Sequence, residues 1–166
     1  MAGKVAGDLI PAMSKAAFDL LLIPGQQAEF GEWTAGAGQP DTGSSVLLVD
    51  CARDGCWEAD IILLGASPQL EETVLRLKDV ATQKIVLLIS AADQAPSHYQ
   101  AIKKLQQWLP YSKIVSALYD KSSSSIQICG EDPGAVEDIT TVFTAAGLKH
   151  PTAMVPCGDS LSSSPI

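Results

Sequence analysis

Lys84-Ile85-Val86-Leu87-Leu88-Ile89-Ser90 contains five consecutive aliphatic residues between a lysine and a serine. Successive side chains of a strand point to opposite faces, so a run that is apolar throughout predicts a strand buried on both faces. Such strands are typical of parallel sheets with helices packed on both sides. This stretch therefore predicts an α/β fold.

Similar apolar runs occur on both sides of this stretch and alternate with helical patterns. The other predicted strands cover residues 19–23, 45–50, 60–65, 113–118 and 126–130, with a last extended piece at 152–155. The predicted helices cover residues 51–58, 70–80, 97–108 and 132–146, the last with Asp132 as N-cap, Pro133 at its first position and Gly147 as its stop. Alternation of this kind predicts one α/β domain, residues 1–157, followed by a Ser-rich tail, residues 158–166.

Charge and composition exclude several classes of partner. The 166 residues include 19 acidic and 11 basic side chains, a net charge of −8, which would repel nucleic acid and anionic membranes. No apolar run approaches the roughly 20 residues that span a bilayer, and the N-terminus does not have the pattern of a secretory signal. The four cysteines lack metal-ligand spacing. We therefore expect a cytoplasmic protein with reduced, mostly buried thiols and no metal site.

The carboxyl ends of the predicted strands carry small and polar residues. They are Pro24-Gly25-Gln26-Gln27, Gly65-Ala66-Ser67-Pro68 and Ser90-Ala91-Ala92. In open α/β sheets, ligands bind beyond these ends of the strands, so the segments are candidates for contact with a flat ligand. Ordinary turns would account for them equally well.

Near the N-terminus, Gly3-Lys4-Val5-Ala6 is similar to the second half of a dinucleotide fingerprint, G-x-G-x-x-G/A, with a helical pattern and an apolar run after it. In that motif a glycine lets the backbone approach a pyrophosphate, and the last small residue allows close packing of helix and strand.

Three further stretches have the character of one family. They are Glu58-Ala59-Asp60-Ile61-Ile62-Leu63-Leu64-Gly65 with Ser67-Pro68, Leu105-Gln106-Gln107-Trp108-Leu109-Pro110 with Lys113-Ile114-Val115-Ser116-Ala117, and Gly130-Glu131-Asp132-Pro133 with Ala145-Ala146-Gly147-Leu148. Over about residues 3–157 the chain resembles the NADP-binding domain of the coenzyme F-420-dependent NADP oxidoreductases and their pyrroline-5-carboxylate reductase-like relatives.

The resemblance implies a Rossmann-like three-layer αβα domain with a mostly parallel sheet, and NADP or NAD as cofactor. It implies an oxidoreductase that positions a nicotinamide for hydride transfer to an unknown small-molecule redox partner. The cofactor would carry the reaction, so no catalytic residue is assigned. The implied cofactor-binding residues are Gly3, Lys4, Val5 and Ala6 at the pyrophosphate, Gly25 and Gln26 at the adenosine ribose, and Gly65, Ala66, Ser67, Pro68 and Ser90 toward the nicotinamide.

The chain departs from the family in two respects. No residues correspond to the first strand of the usual fold, and no charge follows the second strand to select NADP or NAD. We therefore expect weak dinucleotide binding, and a non-catalytic Rossmann module used for dimerisation or partner binding is the alternative. Bare sheet edges are avoided in proteins. We expect either a homodimer that completes the sheet or direct closure of the second strand on the fourth.

The remaining candidates are assigned structural roles. We expect His98 and His150 at the surface, and the serines from Ser122 to Ser125 in a polar turn. Trp33, Trp57 and Trp108 are expected to be packing residues.

Overall fold

The structure is a computed structural model that describes residues 13, 20–22, 46–48, 51–65, 69–120 and 122–154. The strands in these ranges are β1 (Leu20–Leu22), β2 (Val46–Leu48), β3 (Ile61–Gly65), β4 (Ile85–Ala91), β5 (Lys113–Asp120), β6 (Ser125–Gly130) and β7 (Lys149–Met154). The helices are α1 (Ala52–Glu58), α2 (Leu70–Leu77), α3 (Ala95–Trp108) and α4 (Pro133–Ala145), and a 3₁₀ turn, Ala92–Gln94, leads into α3.

A five-stranded sheet with the order β3-β4-β5-β6-β7 forms the centre of the described fold. β3, β4 and β5 are parallel, β6 is antiparallel to β5, and β7 is parallel to β6. β1 and β2 pair in parallel in a separate two-stranded sheet. The prediction of an α/β fold with a mostly parallel sheet is confirmed, and β4 is the long apolar run from which it was made.

The reversal between β5 and β6 was not predicted. Only residues 121–124 separate the two strands, too few for the crossover that a parallel pair requires, so the chain turns back on itself. The Asp120 carboxylate accepts hydrogen bonds from the Ser122 hydroxyl (2.6 Å), the Ser123 hydroxyl (2.8 Å) and the Ser122 backbone N–H (2.9 Å). These bonds lower the pKa of Asp120, and the bond from the Ser122 side chain has the largest effect. The polar turn itself is confirmed.

Two hydrophobic cores lie on opposite faces of the sheet. The first packs α1, α2 and α3 against alternate residues of β3, β4 and β5, among them Ile62, Leu64, Val86, Leu88 and Ile114. The second packs α4 against the residues of β4, β5 and β6 that point to the other face of the sheet. Among them are Leu87, Ile89, Val115, Ile126 and Ile128. The αβα layering predicted for the domain is present in these residues.

Both predicted ends of α4 are confirmed. Asp132 Oδ1 accepts a hydrogen bond from the Ala135 backbone N–H at 2.8 Å, and Pro133 occupies the first turn. Gly147 has φ +78°, which side chains with a Cβ rarely adopt. The Gly147 N–H then donates to the Thr144 carbonyl and the Leu148 N–H to the Phe143 carbonyl, the pairing that ends helices at an αL glycine.

The prediction of reduced thiols is wrong for Cys129, which is disulfide-bonded. Cys51 is free and exposed, and Cys56 is free and buried. Burial raises the pKa of the Cys56 thiol, with a smaller opposing effect of the Lys84 charge, so this thiol is poorly nucleophilic at neutral pH. No helix in the described ranges has the length and hydropathy to cross a membrane.

Trp57 is 68% exposed, so its predicted packing role is wrong, whereas Trp108 packs against the first core as expected. Trp33 lies outside the described residues, and of His150 only its position in β7 is described.

Candidate functional site

The carboxyl ends of β3 and β4 lie side by side at one edge of the sheet. In the parallel register Gly65, the last residue of β3, pairs with Ile89, so Ser90 and Ala91 of β4 follow immediately beyond it. Gly65 and Ala91 are half-buried and Ser90 is buried. Two residues of the predicted site, Gly65 and Ser90, are thus brought together at the strand ends where α/β proteins bind ligands.

A buried histidine lies behind Ser90. His98, in the first turns of α3, has no exposed surface, and its Nδ1 is 2.7 Å from Ser90 Oγ. Burial lowers the pKa of His98 to about 4, so the ring is neutral at pH 7. Its predicted surface position is therefore wrong. The sequence does carry the signal, because His98 shares the helical spacing of Ile102, Leu105 and Leu109, all of which face the first core.

The second ring nitrogen of His98 has no hydrogen-bond partner among the described residues. Nε2 is fully buried, and Nδ1 is already engaged with Ser90. In a neutral imidazole one nitrogen donates and the other accepts, so Nε2 retains either an unused donor or an unused acceptor. A buried polar atom left in this state costs on the order of 1–3 kcal/mol, which a ligand atom or a water molecule can recover.

The other predicted site residues lie outside the described residues and remain predictions. They are Gly3, Lys4, Val5, Ala6, Gly25, Gln26, Ala66, Ser67 and Pro68.

The described part of the site consists of small residues and two hydrogen-bonding side chains. Within the described ranges no three His, Cys, Asp or Glu side chains come together to hold a metal ion. Ser90 is only 2% exposed, and the ring atom of His98 that faces it is Nδ1, so the pair does not form an exposed nucleophile with its base. Small residues thus lie at the ends of two neighbouring parallel strands, the place where α/β proteins bind ligands.

No family profile matches this sequence, and no curated protein sequence matches it. Solved structures do match its fold. A pyrroline-5-carboxylate reductase from Coxiella burnetii is 18% identical with a TM-score of 0.63, over 92% of this chain and 56% of the reductase. An NAD⁺-dependent 5-formyl-3-hydroxy-2-methylpyridine 4-carboxylic acid 5-dehydrogenase is 16% identical with a TM-score of 0.67, over 89% of this chain and 53% of the enzyme.

A third similar structure is that of a candidate F420-dependent NADP-reductase from an Arthrobacter species. It is 13% identical with a TM-score of 0.59, over 88% of this chain and 80% of the other. The chain spans about half the length of the first two proteins. It has the Rossmann-like fold that these proteins share, and the resemblance inferred from the sequence is confirmed at the level of the fold.

Proposed function

We propose that this protein binds NADP or NAD and acts as an oxidoreductase that positions a nicotinamide for hydride transfer to a small-molecule acceptor. The observation that carries the proposal is the convergence of Gly65 and Ser90 at the carboxyl ends of neighbouring parallel strands. The fold likeness to NAD(P)-dependent reductases and dehydrogenases supports it. Ligands of open α/β sheets bind beyond the carboxyl ends of the strands, the end at which these two residues lie.

The roles of the residues follow from their positions. Gly65, with no side chain, allows a flat ring to approach the end of β3, and Ser90 with His98 supplies hydrogen-bonding groups at the end of β4. Gly3, Lys4, Val5 and Ala6 are proposed to hold the pyrophosphate, Gly25 and Gln26 the ribose, and Ala66, Ser67 and Pro68 the nicotinamide side. When bound, the nicotinamide supplies the hydride transfer, and the protein supplies orientation and exclusion of water.

Binding is expected to be weak and almost unselective. The proposed ribose-binding residues Gly25 and Gln26 carry no charge for a 2′-phosphate, so a charge-assisted contact that would favour NADP is missing there. The affinity falls further for each residue of the proposed turn at Gly3 that the ligand has to order, at roughly 1–2 kcal/mol per residue. Two or three such residues weaken binding by about two orders of magnitude or more.

Titration with NADPH and NADH, followed by nucleotide fluorescence and calorimetry, tests the proposal. We expect dissociation constants above the micromolar range that are similar for both nucleotides. Ser90→Ala removes the hydroxyl next to Gly65 and is expected to weaken binding about fivefold, the equivalent of one hydrogen bond of about 1 kcal/mol. Ser116→Ala is the matched control, because Ser116 is also a buried serine but lies inside β5.

A folded protein that binds neither nucleotide at millimolar concentration would overturn the proposal. Sub-micromolar, NADP-selective binding would instead contradict our account of the weakened site. Equal losses in Ser90→Ala and Ser116→Ala would remove Ser90 from the site.

The alternative function is a non-catalytic Rossmann module used for dimerisation or partner binding, and the position of β3 at the edge of the sheet formed by the described residues favours it. A homodimer is part of both proposals.

The cytoplasmic location stays a prediction. The disulfide at Cys129 bears against it, because disulfides are rare in reducing compartments. Thiol counting on protein alkylated at cell lysis checks this prediction: four free thiols would support the cytoplasm, whereas a chain that holds the Cys129 disulfide has fewer.

A further inference from the structure

Ser90 and His98 form a buried hydrogen-bonded pair at the carboxyl end of β4. His98 Nδ1 is 2.7 Å from Ser90 Oγ, and the exposed fractions of the two residues are 0% for His98 and 2% for Ser90. Gly65 ends β3 beside this pair, because it is in register with Ile89, the residue that precedes Ser90. The pair therefore belongs to the part of the candidate site that the structure describes.

The orientation of the His98 ring is fixed by its surroundings. His98 shares the helical spacing of Ile102 and Leu105, which lie in the first core, so α3 directs the ring toward the sheet. The Tyr99 ring meets it edge to face, with 6.1 Å between the ring centroids and 75° between the ring planes. A serine hydroxyl, by contrast, rotates to suit its partner. The ring therefore sets the direction of the Ser90 hydroxyl, rather than the reverse.

The length of the bond indicates which atom is the donor. N–H donors in proteins lie about 2.9–3.0 Å from an oxygen acceptor, whereas hydroxyl donors come closer, at about 2.7–2.8 Å. At 2.7 Å the pair fits the Ser90 hydroxyl as donor and His98 Nδ1 as acceptor. Burial keeps the ring neutral at pH 7, so Nδ1 has a lone pair to accept with when Nε2 holds the ring proton.

This direction of the bond limits what Ser90 offers to a third group. A hydroxyl has one proton and two lone pairs, so once its proton is given to Nδ1 the Ser90 oxygen is an acceptor only. It stabilises an N–H or O–H group and repels the oxygen of a carboxylate or phosphate. Because Ser90 is almost fully covered, a mismatched group at this oxygen loses its water without gaining a hydrogen bond.

We propose that His98 is a positioning residue that fixes Ser90 as a hydrogen-bond acceptor, so that the site selects a ligand group with an N–H or O–H at this point. The identity of that group rests on the proposed function, in which Ser90 lies toward the nicotinamide. The nicotinamide carboxamide carries an NH₂ group and is the matched ligand. A dinucleotide with a carboxylate in place of the carboxamide is the mismatched one. His98 acts on either ligand only through Ser90.

Imidazole NMR on the full chain tests the direction of the bond without any nucleotide. In protein labelled with nitrogen-15 histidine, two-bond correlation spectra show which ring nitrogen carries the proton. We expect Nε2 of His98 to be protonated and Nδ1 to be bare at pH 7. The chain has two histidines, and His150→Gln assigns their signals. Ser90→Ala is expected to shift the Nδ1 resonance of His98, whereas Ser116→Ala, a buried serine within β5, leaves it unchanged.

Titration with two nucleotides tests the selection. We expect the wild type to bind NAD⁺ about tenfold more tightly than nicotinic acid adenine dinucleotide, which carries the carboxylate, because one hydrogen bond is lost and an unpaired buried acceptor is left. His98→Leu frees the Ser90 hydroxyl to donate, so the ratio of the two affinities is expected to fall to about two or less. Ser90→Ala should lower it equally, the double variant should match Ser90→Ala, and Ser116→Ala should keep the tenfold ratio.

His98→Asn is the rescue variant. Its Oδ1 is as many bonds from the backbone as Nδ1 and can accept from Ser90, so we expect the preference for NAD⁺ to be retained. Circular dichroism establishes the folding of each variant. If His98→Leu does not fold, the NMR spectrum of the wild type and the affinity ratio of Ser90→Ala decide.

A protonated Nδ1 in the wild type would overturn the proposal. Equal binding of the two nucleotides by the wild type, or a tenfold ratio that survives in folded His98→Leu or Ser90→Ala, would also overturn it. If neither nucleotide binds, the proposed function fails, and the NMR spectrum alone then shows whether His98 fixes Ser90 as an acceptor.

Discussion

The two ends of the parallel strands differ in how completely their polar groups are hydrogen-bonded. At the amino-terminal ends, polar groups are paired within the protein. Lys84 Nζ donates hydrogen bonds to the carbonyl oxygens of Cys56 (2.7 Å), Trp57 and Ala59 (2.6 Å), at the end of α1. The charge of the ammonium group is also favourable there because of the helix dipole.

At the carboxyl ends, the described structure leaves hydrogen-bonding capacity unused. His98 is buried against Ser90, and Nε2 of His98 has no partner among the described residues. The amino-terminal ends therefore serve stability, whereas the carboxyl ends hold a polar group whose desolvation is not fully compensated. The difference teaches that one face of the sheet keeps a buried polar atom whose desolvation no partner among the described residues offsets.

The largest expected effect concerns His98 and pH. Burial lowers its pKa from the ordinary 6.5 to about 4, so the folded state favours the neutral ring. The resulting stability is fully present above pH 6.5 and is lost as the pH falls toward 4. The complete loss is roughly 3 kcal/mol, of which about 2 kcal/mol is lost between pH 7 and pH 5.

Urea unfolding at pH 7 and pH 5 measures this loss, with His98→Gln as the non-titrating reference. We expect the wild type to lose about 2 kcal/mol more than the variant over this interval. Equal losses would show that His98 is not held neutral, and the contrast between the two ends of the sheet would fail.

The second prediction concerns Lys84. Lys84→Met keeps the aliphatic stem but removes the donor to three carbonyl oxygens, and we expect the free energy of unfolding to fall by about 1–2 kcal/mol. Nucleotide binding should not change, because Lys84 lies at the other end of β4 from Ser90. Lys104→Met on the exposed surface of α3 is the control and should change stability little. A weaker affinity for nucleotide in Lys84→Met would contradict the division of roles.

The smallest expected effect is a gain in stability at Gln83. This residue has φ +64°, and its backbone N–H donates to the Tyr111 carbonyl at 2.8 Å. Gln83→Gly relieves the strain of the left-handed conformation and is expected to add about 0.5 kcal/mol after the entropic cost of glycine.

Gln100→Gly, at an exposed position in the interior of α3, is the control of opposite sign and should cost about 1 kcal/mol. If Gln83→Gly destabilises as much as Gln100→Gly, the positive φ of Gln83 carries no strain.

Much of the fold follows from local rules that the sequence displays. The apolar runs of β3, β4 and β5, the Asp132 cap and the Gly147 stop were all predictable, because each depends on residues adjacent in the chain. The short turn at 121–124 indicates that β6 runs antiparallel to β5. The uniform apolar runs elsewhere in the chain instead favoured a parallel arrangement.

The candidate site was predictable only in part. Gly65 and Ser90 were expected at strand ends, and the register of β3 on β4 brought them together. His98 was assigned to the surface from its position near the start of a helix, although its spacing with Ile102 and Leu105 indicated the covered face. The bond from His98 to Ser90 joins residues of two elements, and no local pattern specifies it.

The sequence by itself determined the strands, the helices and their ends, because backbone preferences and the alternation of apolar residues act over a few neighbouring positions. Only the tertiary structure decided that β3 lies at the edge of the sheet formed by the described residues, that His98 is buried and that Cys129 is disulfide-bonded. These outcomes depend on contacts between residues far apart in the chain, because burial, which sets the pKa of His98, is a property of the packed chain.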